Sequence, residues 1–168
     1  MSFARLKLKE VVNLVTKGTT PTSIDLAFAT SGVPFIRVQN LRNGRVNLNV
    51  DPLYVSPETH RALGRSMILP GDVLISIAGT IGRIAVVDRC APEMNCNQAV
   101  AIIRPGARLD SLFLKYWLQS VSAQKQMLDG QVTGTITNLS LTAKERTACG
   151  LFASRTSKSL GLRPDTSW

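Results

Sequence analysis

The sequence predicts a mixed α+β fold. Two observations lead to this class: runs of β-branched and aliphatic residues bounded by glycine, proline and asparagine, and two segments that begin with helix N-caps. At 168 residues, 44% of them hydrophobic, the chain is long enough to bury a core as one domain.

The first part of the chain is predicted to contain strands and turns. Residues 6–15 form an apolar opening that fits either a helix or a strand, and it ends in a loop with glycine and proline, 17–21. Apolar and polar side chains alternate in 33–39, as in a half-buried strand. Asn43-Gly44 is the strongest hairpin signal in the chain.

A helix and three strands are predicted next. Ser56 is a suitable N-cap with Pro57 behind it, and this helix should run to about Gly64. Residues 71–88 read as two β-rich runs joined by a glycine-containing turn, and 99–104 as a further strand.

The clearest helix is predicted over 110–128, with Asp110 as its N-cap. Apolar residues recur at three- and four-residue spacing, which predicts that they form a core-facing stripe: Leu112, Phe113, Tyr116, Trp117 and Val121. Gly130 is a suitable terminator, and the Thr-rich segment 132–141 is predicted to be a strand.

The composition favours binding to nucleic acid. The formal charge is +9, and arginines outnumber lysines, which suits phosphates and guanine edges. Basic proteins also bind membranes or acidic partners, so charge alone does not decide. The sequence has no apolar run of about 18 residues, so no membrane partner is expected. Three cysteines without metal-ligand spacing fit free thiols in a reducing cytoplasm.

Catalysis is not expected. The single histidine, His60, lies on an ordinary helix and is predicted to be a surface residue. The sequence has no nucleophile elbow, paired-carboxylate motif or metal cluster, so neither cofactor nor metal is predicted.

The segment 79–83 has three interpretations. It is a plain turn between two buried strands, a KH-type Gly-x-x-Gly loop that clamps single-stranded nucleic acid, or a strand-end loop that presents Thr80 and Arg83 to DNA. A KH loop joins two helices, whereas β-branched residues flank this segment.

The richest polar cluster is a second candidate for contact with DNA. On a strand, Arg37 and Gln39 would project from the same face. The cluster is either a solvated sheet face with a hairpin tip or a DNA-facing surface, and its members are Arg37, Gln39, Asn40, Arg42, Asn43 and Arg45.

Two shorter segments complete the candidates. Amides such as those of Asn95 and Asn97 can bond to adenine, but they also satisfy backbone groups in turns. The loop with Lys17, Thr19 and Thr20 lacks the glycine spacing of a P-loop, and contact with the phosphate backbone is the better functional reading.

Eight elements, in order along the chain, resemble a single target recognition domain of the specificity subunits of type I restriction–modification systems. They are residues 6–15, 17–21, 33–41, 70–76, 79–82, 97–98, 113–118 and 134–140. Each element alone is unspecific, but eight in register are hard to obtain by chance.

The resemblance implies an α+β fold with a curved, β-helix-like sheet region and a helical segment. It also implies sequence-specific binding of duplex DNA by a non-catalytic specificity component. The implied partners are the methyltransferase and restriction (translocase) subunits of the same system. A full specificity subunit of this family carries two such domains, separated by long helices.

The sequence departs from this family after Leu141, where the start of a long heptad-patterned helix is expected. We therefore divide the chain into a recognition domain, 1–141, and an atypical tail, 142–168, that is expected to be poorly ordered. Without a spacer helix, docking to methyltransferase subunits is doubtful. The alternatives are an RNA-binding or ribosome-associated basic domain, and an inert remnant of a subunit.

Overall fold

The computed structural model describes residues 3–129 and 140–144. In these residues the strands are β1 (Phe3–Lys7), β2 (Val12–Lys17), β3 (Val33–Ile36), β4 (Leu41–Arg42), β5 (Arg45–Val46), β6 (Tyr54–Val55), β7 (Met67–Ile68), β8 (Val73–Ser76), β9 (Ile84–Val86), β10 (Met94–Cys96), β11 (Val100–Pro105) and β12 (Ser140–Lys144). The helices are α1 (Pro57–Ala62), α2 (Ser111–Leu118) and α3 (Val121–Asp129). Mixed sheets with helices confirm the predicted α+β class.

The described strands form three sheets. The largest has the order β2-β11-β8-β9-β5-β4, the second has the order β6-β3-β10-β7, and β1 pairs with β12 alone. Two neighbouring pairs, β3 with β10 and β5 with β9, are parallel, and the other pairs are antiparallel. The two sheets with more than two strands therefore each contain both kinds of pairing.

Strand β8 is buried on both faces. Val73 and Ile75 pack in one apolar cluster with Leu114 and Leu118 of α2, whereas Leu74, between them, packs in a second cluster with residues of β3, β7 and β10. Successive residues of a strand point to opposite faces, so each face of β8 has its own core. This double burial explains the continuous apolar run in the sequence.

Local sequence signals determine where two helices begin and where one hairpin turns, as predicted. The Ser56 hydroxyl accepts a hydrogen bond from Thr59 N (3.1 Å), and Asp110 Oδ1 accepts two from backbone N–H groups in the first turn of α2. Asn43 and Gly44 have φ angles of 51° and 74°, and they form the two-residue turn between β4 and β5. The predicted hairpin and both N-caps are therefore confirmed.

Two predicted elements have different bounds. The predicted strand 33–39 ends at Ile36, and a 3-10 turn follows over Val38–Asn40. The predicted opening at 6–15 is strand on both sides of a short 3-10 turn. Of the predicted strand 132–141, only residues 140 and 141 are described, and both belong to β12.

The predicted helix 110–128 is two helices. Ser120 Oγ accepts a hydrogen bond from Ala123 N (3.3 Å), so this serine begins a second helix and ends the first. The predicted apolar stripe is wrong in part, because Leu112, Tyr116 and Val121 are 53%, 64% and 85% exposed. Phe113 and Trp117 are half-buried against the core. Gly130, the predicted terminator, lies outside the described residues.

Strand β12 continues past Leu141 to Lys144 and pairs with β1 over its whole length. Residues 145–168 lie outside the described part of the chain. The division of the chain at residue 141 stays a prediction.

The turn before β8 is held by an ion pair. Asp72 is 1% exposed, and its carboxylate accepts hydrogen bonds from Arg104 Nε and Nη2, each at 2.8 Å, and from Leu69 N at 2.8 Å. Hydrogen bonding to Asp72 raises the pKa of Arg104 above its usual value. Asp72 thus links the turn before β8 to β11.

The two described cysteines are expected to differ in reactivity. Cys90 is exposed, whereas burial raises the pKa of the Cys96 thiol above its usual range. Because the thiolate is the reactive form, Cys96 should not react at neutral pH. In a Cys149→Ser variant, we expect one thiol to react rapidly with a disulfide reagent in the folded protein. The second thiol should react only after unfolding in urea. Rapid reaction of both thiols in the folded protein would contradict the burial of Cys96.

Candidate nucleic-acid interface

The topology brings four chain segments to one edge of the sheets. Strands β3 and β10 are parallel, so the residues that follow them leave in the same direction. In the other sheet, Ser76 at the end of β8 pairs with Val100 at the start of β11, and Lys17 at the end of β2 pairs with Ala101. We call this edge the loop edge; it consists of residues 18–20, 37–40, 77–83 and 97–99.

Backbone hydrogen bonds join the segments of the loop edge. Gly18 N donates to Val100 O (3.0 Å) and Thr19 N to Cys96 O (3.0 Å). Asn97 N donates to Ile36 O (3.2 Å), and Ile77 N donates to Ala99 O (2.8 Å). The loop edge is therefore fixed by main-chain contacts, and its side chains are carried on a rigid base.

Gly18 permits the close approach of two of these segments. A Cβ at this position would overlap the carbonyl oxygens of Cys96 and Asn97. Beside it, the Thr20 hydroxyl donates a hydrogen bond to Gln98 Oε1. Thr19 and Thr20 are half-buried, and Lys17 is exposed at the end of β2. The predicted loop 17–21 is thus packed against residues 96–98.

The 77–83 loop joins two antiparallel strands. Gly79 and Gly82 have φ angles of 70° and 85°, and Ser76 Oγ accepts a hydrogen bond from Arg83 N (2.8 Å). The KH interpretation is therefore wrong, because a KH loop joins two helices. Thr80 and Arg83 are exposed, and contact of either residue with DNA stays a prediction.

Arg37 and Gln39 come together, although not on a strand. Arg37 Nη2 donates to the backbone oxygen and to Oδ2 of Asp51, both at 2.6 Å, and the Gln39 amide, oriented to suit its neighbours, places its oxygen 3.1 Å from Arg37 Nη1. The strand geometry predicted for them is wrong, because β3 ends at Ile36 and the chain turns. Contact of the Gln39 amide with the Arg37 guanidinium replaces the sheet face as the feature that unites them.

Two other contacts connect this group with its neighbours. Arg83 Nη1 lies 3.5 Å from Val38 O, and Arg42 Nε donates to Gln39 O (3.1 Å). The hairpin tip, residues 42–45, therefore borders the loop edge. Arg42, Asn43 and Arg45 are exposed on it.

Asn40 and Asn95 are structural residues, and their prediction as DNA contacts is corrected here. Asn40 is buried, and its Nδ2 donates to the backbone oxygens of Asn47 (3.1 Å) and Val50 (2.7 Å). Asn95 is buried too; its Oδ1 lies 2.6 Å from His60 Nδ1, and its Nδ2 donates to a backbone oxygen after α1. Neither amide can reach a base from these positions.

His60 is buried, whereas Asn97 is half-buried. The predicted surface position of His60 is wrong, because its ring is buried between Asn95 and Glu93, with Nε2 3.1 Å from Glu93 Oε2. Asn97 is half-buried, and within the described residues its Oδ1 is enclosed and accepts no hydrogen bond. The Asn97 amide is therefore not committed in the way that those of Asn40 and Asn95 are.

Three residues of this region were missing from the predicted site. Gln98 directly follows the candidate Asn97, and its contact with Thr20 forms only because the two loops meet in the fold. The Lys115 ammonium lies directly over Gly44 at the hairpin tip. Asp51 has no signal in the sequence that marks it as a partner of Arg37.

The loop edge and hairpin tip are strongly basic. They carry Arg37, Arg42, Arg45 and Arg83, with Lys17 directly beside them. In these described segments and in the connection to residue 51, Asp51 is the only acidic residue. Such a concentration of positive charge attracts polyanions.

Within residues 3–129 and 140–144, no three His, Cys, Asp or Glu side chains are grouped so that they could hold a metal ion. The same residues contain no helix with the length and apolar character that a bilayer span requires.

No protein-family model matches the chain. Among curated proteins, the type I restriction enzyme EcoBI specificity subunit of Escherichia coli is 37% identical to it over 90 residues, which are 53% of this chain and 19% of that protein.

Solved structures extend the likeness to most of the fold. The HsdS subunit from Thermoanaerobacter tengcongensis has a TM-score of 0.62 at 21% identity, covering 84% of this chain and 33% of that one. A chain from a structure concerned with complex assembly and conformational transition of the type I R-M system has a TM-score of 0.64 at 20% identity, covering 90% of this chain and 36% of that one. This chain thus spans about a third of the length of the solved chains that it resembles. The resemblance to the specificity subunits of type I restriction–modification systems is therefore confirmed, by sequence over about half of the chain and by fold over most of it.

Proposed function

We propose that the loop edge and the hairpin tip bind duplex DNA, and that the chain is a sequence-reading, non-catalytic part of a type I restriction–modification specificity subunit. The observation that carries this proposal is the convergence of arginine, lysine and amide side chains from separate segments onto one edge of a rigid scaffold. Positive charge neutralises phosphates, while fixed polar side chains read base edges.

The exposed candidates divide by position. Lys17, Arg42 and Arg45 are exposed at a strand end and at the hairpin tip, where they suit phosphate contacts. Arg83 is carried on a loop that is tied to β8 by Ser76, so its guanidinium suits bidentate contact with a guanine edge. Thr80, Asn97 and Asn43 are the polar neighbours that complete the base-reading set. Thr19 and Thr20 support the loop edge through the packing of the 18–20 segment.

The partners follow from the same proposal. In a longer subunit, this fold would read one part of a target while other segments dock the methyltransferase and restriction subunits. DNA binding by the loop edge requires neither a cofactor nor a metal. The proposal therefore concerns recognition alone, and it can be tested on the isolated chain.

A selection from random duplexes, followed by fluorescence anisotropy, tests base readout by Arg83. We expect Arg83→Ala to weaken binding to the selected duplex by about 1–3 kcal/mol and to change binding to a scrambled duplex much less. We expect Arg45→Ala to weaken binding to both duplexes equally and to reduce the slope of log K against log salt by about 1.

Arg61→Ala is the matched control, because Arg61 is an exposed arginine on α1 whose ion pair, within the described residues, is with Glu58 at 3.3 Å. It should change neither affinity. Equal weakening of both duplexes by Arg83→Ala would remove Arg83 from the base-reading set. Stronger competition by single-stranded RNA than by duplex DNA would replace DNA by RNA as the ligand.

A further inference from the structure

Arg37 is already hydrogen-bonded to Asp51 through one terminal nitrogen. Its Nη2 group donates twice to Asp51, to the backbone oxygen and to Oδ2, both at 2.6 Å. When the Gln39 amide is oriented to suit its neighbours, its oxygen lies 3.1 Å from Nη1 and 3.3 Å from both Nε and Nη2 of Arg37. Of the five N–H groups of a guanidinium, the two on Nη2 are taken by Asp51.

The Asp51 backbone is set to make this contact. Asp51 has a φ angle of 45°, in the left-handed region that Asp and Asn tolerate better than most residues. In this conformation its backbone oxygen and its carboxylate both face one nitrogen of Arg37. The Arg37 side chain is 23% exposed, whereas that of Asp51 is 67% exposed, so the carboxylate lies on the solvent side of the pair.

The position of this carboxylate is unfavourable for binding phosphates. It is the only acidic group among the basic side chains of the loop edge, the hairpin tip and the connection to residue 51 within the described chain. It cancels the charge of Arg37 and repels phosphates that approach its neighbours. The Asp51 carboxylate oxygen on Nη2 also takes a position that a phosphate oxygen could take, because both are anionic acceptors for a guanidinium N–H group.

We propose that Asp51 limits sequence-independent DNA binding by occupying the place on Arg37 that a phosphate would otherwise take. This inference rests on the proposed function of the loop edge. In complexes with unrelated duplexes, in which the protein contacts only phosphates, Arg37 stays bound to Asp51 and makes no contact with the DNA. Asp51 thereby keeps the affinity for unrelated duplexes low, and such duplexes are the main competitors of a target in a genome.

The Asp51→Asn variant tests this inference by anisotropy with a scrambled duplex over a range of salt concentrations. Asparagine tolerates the same backbone conformation, so the variant should fold, and urea unfolding checks this. With Arg37 released to one phosphate, affinity should rise roughly 5- to 10-fold at 0.1 M salt, and the slope of log K against log salt should steepen by about 0.9.

Two controls separate the release of Arg37 from a general effect of charge. Glu58→Gln removes one negative charge from another exposed arginine–carboxylate pair, that with Arg61 on α1, and it should change affinity less than about twofold. In an Arg37→Ala background, Asp51→Asn should raise affinity by no more than about twofold, because only the screened repulsion between the exposed carboxylate and phosphates is then removed. A gain in this background as large as that in the wild type would overturn the proposed role of Arg37.

The remaining outcomes distinguish this inference from the proposed function. Binding by the wild-type protein without a gain in Asp51→Asn overturns the inference and leaves DNA binding intact. A loss of affinity in Asp51→Asn also overturns it, and would make Asp51 a positioning residue for Arg37. No binding of any duplex by the wild-type protein rejects both.

Discussion

Replacing Asp72 by alanine is expected to lower the free energy of unfolding by about 3 kcal/mol, as is typical when one partner of a buried ion pair is removed. The carboxylate is 1% exposed and accepts three hydrogen bonds, two from Arg104 and one from Leu69 N. Without it, the guanidinium loses its anionic partner and keeps the Met67 backbone oxygen at 3.3 Å, and the Leu69 N–H group loses its acceptor. Because the Arg104 side chain is 29% exposed, water relieves part of this loss, and we expect the lower end of the range for buried pairs.

Urea unfolding of three variants measures this effect. Asp72→Asn keeps one oxygen acceptor and loses the charge, so it should fall between the wild type and Asp72→Ala. Asp88→Ala is the matched control: this aspartate is exposed and accepts one hydrogen bond, from Cys90 N at 2.9 Å, and its loss should cost about 1 kcal/mol or less. Similar losses for Asp72→Ala and Asp88→Ala would contradict the importance of the buried pair.

Replacing Gly18 by alanine is expected to cost about 3 kcal/mol, the upper end for overpacking, and to impair DNA binding as well. The added Cβ would overlap the carbonyl oxygens of Cys96 and Asn97. These are main-chain atoms of β10 and of the loop after it, so no side-chain rotation relieves the overlap. The 18–20 segment must then separate from residues 97–99, which displaces Thr20 and Asn97 on the loop edge.

Gly64→Ala is the matched control for this substitution. A Cβ at Gly64 meets no atom within 4 Å, and the residue lies in a short 3-10 turn that contributes no residue to the loop edge. Its effect on unfolding should stay within about 1 kcal/mol, in either direction. If Gly18→Ala proves as stable as Gly64→Ala, the two loops are not packed as closely as described. If Gly18→Ala is destabilised but binds duplex DNA normally, the loop edge does not depend on this contact.

Features with local causes were predictable from the sequence. The caps at Ser56 and Asp110 and the turn at Asn43-Gly44 need only neighbouring residues, and all three are present. The apolar runs of β8 and β11 are buried on both faces, so their hydrophobicity was an adequate signal. The break in the predicted helix at Ser120 also has a local cause, but the apolar spacing concealed it.

The candidate site was less predictable, because polar residues have the same sequence signature whether they form hydrogen bonds with buried backbone groups or face a ligand. Asn40 and Asn95 are buried by contacts with backbone groups up to 32 residues away. Only the folded arrangement distinguishes them from Asn97. Arg37 was correctly placed in the polar cluster, but its partner Asp51 lies beyond the hairpin, and no periodicity or motif connects the two.

The pairing of β1 with β12 has a consequence for protein engineering. Five residue pairs join Phe3–Lys7 to Ser140–Lys144 in antiparallel register, so the first and last strands of the described fold lie side by side. A unit whose chain enters and leaves through adjacent strands can be inserted into a host protein as a cassette, with little change in the distance between the host's cut ends. Exchange of the whole cassette would then transfer one set of surface loops without redesign of the host.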